Sequence, residues 1–192
     1  MRTVPEKEPV FKLKVCMIGD SAVGKTSLVK RFVLDQFSDR YFETLGVNAL
    51  VKDVVVNGPR GSDVPARLVI WDVMGEPSYL EYVSDTYLYG TKGIVAVCDL
   101  TRFSTFGHLH TWMEVVEKTV GAVPKVLAVN KSDLRKDALV LYDEQELRRF
   151  AEENNARIYM TSAKTGENVE ELFRGIASDI VTSALRAPLV VE

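Results

Sequence analysis

Apolar and polar positions along the chain alternate between two patterns. Compact apolar runs occur at 12–18 (KLKVCMI), 47–56, 66–72 (ARLVIWD), 93–99 (GIVAVCD), 124–130 (PKVLAVN) and 157–161 (RIYMT). Several are nearly continuous, as expected of strands covered by helices on both faces. Between them, amphipathic stretches at 25–35, 77–88, 104–120, 143–154 and 168–184 predict helices. The runs 47–56 and 66–72 follow one another without a helix. The segment joining them, NGPRGSDVP, is rich in turn formers, so the pair reads as a hairpin. The resulting order, βαββαβαβαβα, predicts an α/β fold: a six-stranded, mostly parallel sheet with one antiparallel strand and helices on both faces. Such sheets bind ligands beyond the carboxyl ends of their strands.

Composition narrows this picture. The 192 residues suit one domain, expected over 11–186, with a loose leader at 1–10 and a short tail at 187–192. A net charge of -3 argues against bulk capture of a nucleic-acid polymer, and none is expected as a partner. No apolar run approaches the ~18–20 residues of a membrane span. The N-terminus carries charges and prolines where a signal peptide is apolar. The expectation is a cytosolic protein, with recruitment to a membrane through a partner left open. Cys16 and Cys98 each sit in a strand-like run and read as reduced, buried thiols.

The first strand ends in Gly19-Asp20-Ser21-Ala22-Val23-Gly24-Lys25-Thr26, followed by Ser27 at the start of a helix. This is GxxxxGK[ST] in the context that gives it meaning. Backbone N–H groups of the loop and helix start can surround a polyphosphate, whose charge the helix dipole favours. Gly19 and Gly24 permit a backbone that a side chain would obstruct. Lys25 supplies positive charge to β- and γ-phosphates, and the Thr26 hydroxyl suits Mg²⁺. The loop alone does not choose the nucleotide, since ATPases and nucleotide-dependent kinases share it.

The fifth strand ends in Asn130-Lys131-Ser132-Asp133. A carboxylate accepts, so Asp133 can receive the ring N1–H and the exocyclic amine of guanine, a donor pair that adenine lacks. Lys131 can lay its stem across the ring, and Asn130 can tie the base region to the phosphate loop. The sixth strand ends in Thr161-Ser162-Ala163-Lys164, whose N–H groups can meet the guanine O6. Either tetrapeptide alone could be a simple turn. Both together, downstream of a phosphate loop, form a strong joint signal for GTP and GDP.

On these residues the chain resembles the Ras-like small GTPases, and the Rab-type branch most closely. GDSAVGKTSL, the IWDxxGE segment at 70–76, NKSD and TSAK occur in the family's order and approximate spacing, over about residues 12–184. The runs Gly90-Thr91-Lys92-Gly93 and Asp99-Leu100-Thr101 are similar too. The resemblance implies the small G-protein form of the P-loop NTPase fold. It puts Phe37 against the base, Thr44 on Mg²⁺ and the γ-phosphate, Asp72 on Mg²⁺ through water, and the Gly75 N–H on the γ-phosphate. Loss of one phosphate would release Thr44 and Gly75, which makes two segments conditional on triphosphate. It also implies an exchange factor, a GTPase-activating protein and effectors, meeting residues 37–48 and 72–88. Trp71 lies between those segments, where the family's aromatic contacts effectors; plain packing explains it equally well.

The chain departs from the family pattern at Asp72-Val73-Met74-Gly75-Glu76-Pro77, where DTAGQE is usual. Met74 is long where alanine is typical. Glu76 replaces the glutamine that orients the attacking water. A carboxylate only accepts, and it brings negative charge toward a triphosphate. It can still take a contact from water, or be repelled and leave hydrolysis slow. Slow intrinsic hydrolysis is the expectation, with Lys25, Thr44, Gly75 and Glu76 as the catalytic set. Ala22 replaces a frequent glycine and should be tolerated. No cysteine follows Cys98, so no prenyl anchor is expected on this chain. His108 and His110 do not share a helical face and read as surface residues. Trp112 and Phe106 read as packing. The leading expectation is a GTP-hydrolysing switch. The alternative is a pseudo-GTPase that holds GTP and recruits partners. A nucleotide or small-molecule kinase would leave NKSD and TSAK unexplained.

Overall fold

A computed structural model describes residues 11–40, 44, 46–76, 87–136 and 143–186. Its strands are β1 (Phe11–Ile18), β2 (Val47–Asn57), β3 (Asp63–Val73), β4 (Gly93–Asp99), β5 (Lys125–Asn130) and β6 (Ala156–Thr161). They form one sheet in the order β2-β3-β1-β4-β5-β6. Only β2 is antiparallel to its neighbour. The helices are α1 (Lys25–Leu34), α2 (Phe103–Gly107), α3 (Leu109–Val120), α4 (Glu144–Glu153) and α5 (Val169–Arg186). The helix expected at 77–88 falls mostly outside the described residues.

Strand alternation divides the core. Leu13, Val15 and Met17 face one side with Val95, Val97, Val126 and Ala128, packed under Leu28 and Phe32 of α1 and Phe173 and Ile176 of α5. Cys16, Ile18, Ala96, Cys98 and Val129 face the other, under Trp112 of α3 and Phe150 of α4. Neighbouring residues in these strands are thus buried on opposite faces, which is why β4 and β5 carry no alternation. Both cysteines are buried thiols outside any disulfide. Phe32 stacks on Phe173 with centroids 4.4 Å apart and seals α1 to α5. Among the described residues, no helix is long and apolar enough to cross a membrane.

Two elements differ from the sequence expectation. The third strand begins at Asp63 rather than 66 and takes in Pro65. The Val55 carbonyl turns away from β3 to accept from Arg174 Nη1, so Val55 and its partner Pro65 exchange no ladder bond, and the missing donor costs nothing. Ser178 Oγ likewise donates to the Asn57 carbonyl. Helix α5 therefore covers one end of edge strand β2, whose Val51 and Val55 remain half exposed. The single helix expected over 104–120 is two, α2 and α3, which meet at His108. That junction turns the His108 ring onto the phosphate loop.

Candidate functional site

The carboxyl ends of β1, β3, β5 and β6 open onto one cleft of about 730 Å³, a size suited to a nucleotide. Ser21, Ala22, Gly24, Lys25, Thr26 and Ser27 line one end of it. Asn130, Lys131, Asp133, Ala163 and Lys164 line the other, and Phe37, Thr44, Met74 and Gly75 border it. Asp20, Val23, Asp72 and Ser162 stand behind this lining. The Val23 side chain is in the core, and its carbonyl accepts from Asn130 Nδ2 at 2.9 Å. Glu76 is half-buried and outside the lining.

At the phosphate end, Lys25 is buried and its ammonium donates to the carbonyls of Gly19 (2.6 Å) and Asp20 (2.8 Å). Burial lowers its pKa from 10.5 to about 8, opposed by the charges of Asp72 and Asp20. Gly24 has φ 101°, and a Cβ there would run into the Asn130 amide. A Cβ on Gly75 would meet the Asp20 carbonyl and the Lys25 ammonium, so only glycine brings this backbone against the loop. Ala22 sits at φ 60°, the left-handed region. That conformation favours glycine.

The Thr26 hydroxyl lies 2.7 Å from the Thr44 hydroxyl and donates to Asp72 Oδ2 at 2.5 Å. Asp72 is fully buried, and its Oδ1 has no hydrogen-bond partner. Desolvation pushes its pKa up, against the Thr26 hydrogen bond and the Lys25 charge. Two hydroxyls beside an unpartnered carboxylate oxygen are hard oxygen ligands, which is what Mg²⁺ takes. Among the described residues, no group of three or more His, Cys, Asp or Glu could hold a metal. An ion here would lean on these oxygens and on phosphate.

The base end is closely knit. Asn130 Oδ1 accepts from the Ala163 N–H and the Thr161 hydroxyl, both at 3.3 Å. Ser162 Oγ donates to Asp133 Oδ1 at 2.6 Å. Arg31 of α1 donates to the carbonyls of Ala163 (2.8 Å) and Lys164 (2.9 Å). One helix thus carries Lys25 and Thr26 at its start and props the base loop from its end. Nothing in the sequence pattern singled out Arg31. His108 and Trp112 were expected at the surface and in packing. His108 is exposed, but its Nδ1 lies 2.6 Å from Asp20 Oδ2. Buried Trp112 donates to Asp20 Oδ1 at 3.3 Å. Trp71 is half-buried, with the Lys14 ammonium 4.0 Å from its ring centroid and the Tyr87 ring tilted against it, centroids 6.4 Å apart.

A parallel sheet with one antiparallel edge, a phosphate loop after β1 and paired polar loops after β5 and β6 define a P-loop fold of the small G-protein type. The chain belongs to the Ras family, whose family model matches residues 14–182. Its relatives are of the Rab-type branch. It is 33% identical over 169 residues to the Ras-related protein Rab-13 of Mesocricetus auratus, covering 88% of this chain and 79% of that one. It is 35% identical over 184 residues to the Ras-related protein Rab-1 of Theileria annulata, covering 95% and 80%. To the Ras-related protein RABE1e of Arabidopsis thaliana it is 35% identical over 173 residues, covering 88% and 75%.

Proposed function

We propose that residues 11–186 are a GTP-binding domain that holds GTP or GDP with Mg²⁺ and hydrolyses GTP slowly unless assisted. The observation that carries this is the single cleft with a polyphosphate cradle at one end and a donor-accepting carboxylate, Asp133, at the other. Thr26, Thr44 and Asp72 would hold Mg²⁺, which supplies charge neutralisation on the β- and γ-phosphates. Lys25 and the loop N–H groups bind the same phosphates and hold the γ-phosphoryl group in line for water. Attack forms the new P–O bond as the bond to the β-phosphate oxygen breaks, leaving GDP and phosphate. Thr44 and the Gly75 N–H bind the γ-phosphate, so hydrolysis frees their segments. That change is what an exchange factor, an activating protein and effectors read over residues 37–48 and 72–88. Of these segments, residues 41–43, 45 and 77–86 lie outside the described set.

Competition of GTP against ATP, followed by turnover with and without Mg²⁺, tests the assignment. GTP is expected to win by orders of magnitude; equal competition would sink it. Glu76→Gln is expected to quicken single-turnover hydrolysis by roughly tenfold, the worth of one hydrogen bond. No acceleration would show that Glu76 does not limit the rate. Mostly GTP on the mildly purified protein would point instead to a module that holds GTP without turning it over.

A further inference from the structure

The apolar run of β4 ends in a carboxylate, Asp99, whose side chain is 1% exposed. Such a group must be paired to remain inside. Its Oδ1 accepts from the Thr101 N–H at 2.9 Å and the Thr101 hydroxyl at 2.7 Å. Its Oδ2 accepts from Arg102 Nε at 2.9 Å and from the Lys131 ammonium at 2.6 Å. Burial pushes the Asp99 pKa up, but the hydrogen bonds from Lys131 and Thr101 bring it below the usual carboxylate value, so the group stays ionised.

Thr101 and Arg102 belong to the turn that follows Asp99. Lys131 comes from the next strand, one residue beyond Asn130, the register partner of Asp99. Its backbone is left-handed, at φ 67°, an uncommon choice for a residue with a side chain. Lys131 lines the base end of the cleft. In the other direction, Arg102 Nη2 donates to the Ser21 carbonyl of the phosphate loop at 3.0 Å. Arg102 holds that carbonyl through a nitrogen separate from the one it gives Asp99, so among the contacts of Asp99 the one to Lys131 is the one that reaches the base end of the cleft.

We propose that Asp99 is a positioning residue for the nucleotide: it fixes the Lys131 ammonium so that the lysine stem lies along the base, and so sets how long guanine nucleotide stays bound. This rests on the guanine-site reading above.

The test is a double-mutant cycle on GDP release, using Asp99→Asn, Lys131→Met (which keeps a stem and loses the ammonium) and the pair. Each single change is expected to quicken GDP release by about tenfold or more, the size of one charge-assisted hydrogen bond. In the Lys131→Met background, Asp99→Asn should add less than about twofold, because its target is gone. The affinity for inorganic pyrophosphate should stay within about twofold for Asp99→Asn, whereas general loosening of the fold would weaken both ligands alike. Additive effects, or equal loss of GDP and pyrophosphate, would overturn the proposal. Should Asp99→Asn not fold, Lys131→Gln and Lys131→Arg carry the test in its place. The proposal requires arginine, which can still reach Asp99, to retain GDP longer than glutamine, and equal release from the two would overturn it. A wild-type chain that held GDP no better than pyrophosphate would sink the guanine-site reading itself. One that held GDP well while the cycle proved additive would sink only this proposal.

Discussion

The two ends of the cleft are built on opposite electrostatic terms. At the base end the polar groups satisfy one another: Asn130 bridges Val23, Thr161 and Ala163, Ser162 holds Asp133, and Arg31 spans two carbonyls. At the phosphate end, Lys25 is buried at a lowered pKa, and Asp72 is buried with one oxygen unpartnered. A satisfied network is rigid and selective, while a buried, underpaired charge favours whatever brings the opposite charge. On the proposed guanine-site reading, discrimination between bases would be prepared in the protein, whereas phosphate and metal affinity would be stored as a cost to the fold.

Four measurements would break or sharpen that contrast. The largest effect is expected from Asp133→Asn, which puts a donor where guanine also donates. GTP affinity should fall by about 10³-fold while tripolyphosphate affinity is unchanged, as read by competition binding. Parallel loss of both would show that the two ends are not separate. Lys25→Ala should weaken triphosphate binding by about 10²-fold, the scale of charge-assisted contacts. It should not lower the urea midpoint of the nucleotide-free protein, because a buried cation is removed.

The third measurement is pH. Lys25 ionises near 8 in the folded protein and at 10.5 when unfolded. Between those values the unfolded chain binds the extra proton, so the nucleotide-free fold gains stability as pH rises. Phosphate requires the charged lysine, so GDP affinity should fall above pH 8, by up to about tenfold per pH unit, and stay flat from this group below it. An affinity flat from pH 7 to 10 would contradict the buried cation. The smallest effect is Ala22→Gly, which relieves a left-handed alanine at the cost of a more flexible unfolded chain. A stabilisation of up to about 1 kcal/mol is expected by thermal unfolding.

The fold was legible in the sequence because its apolar runs and turn residues are strongly patterned. The cleft residues were legible because GDSAVGKT, NKSD and TSAK place particular chemistry at strand ends. What escaped is instructive. Arg31 and His108 act on backbone or on another side chain across large sequence separations, and no local spacing encodes that. Pro65 read as part of the turn because its place in a strand depends on which way the Val55 carbonyl points. Asp99 was visible only as part of a familiar run, since its importance lies in a partner on the neighbouring strand.

The donors that α5 sends to β2 have a further consequence. An eleven-residue edge strand with exposed valines can recruit a foreign strand. Arg174 and Ser178 occupy the carbonyls of Val55 and Asn57 and act as gatekeepers against that pairing. Aggregation of this protein should therefore begin when the α5 side chains let go of that edge, before the sheet itself comes apart.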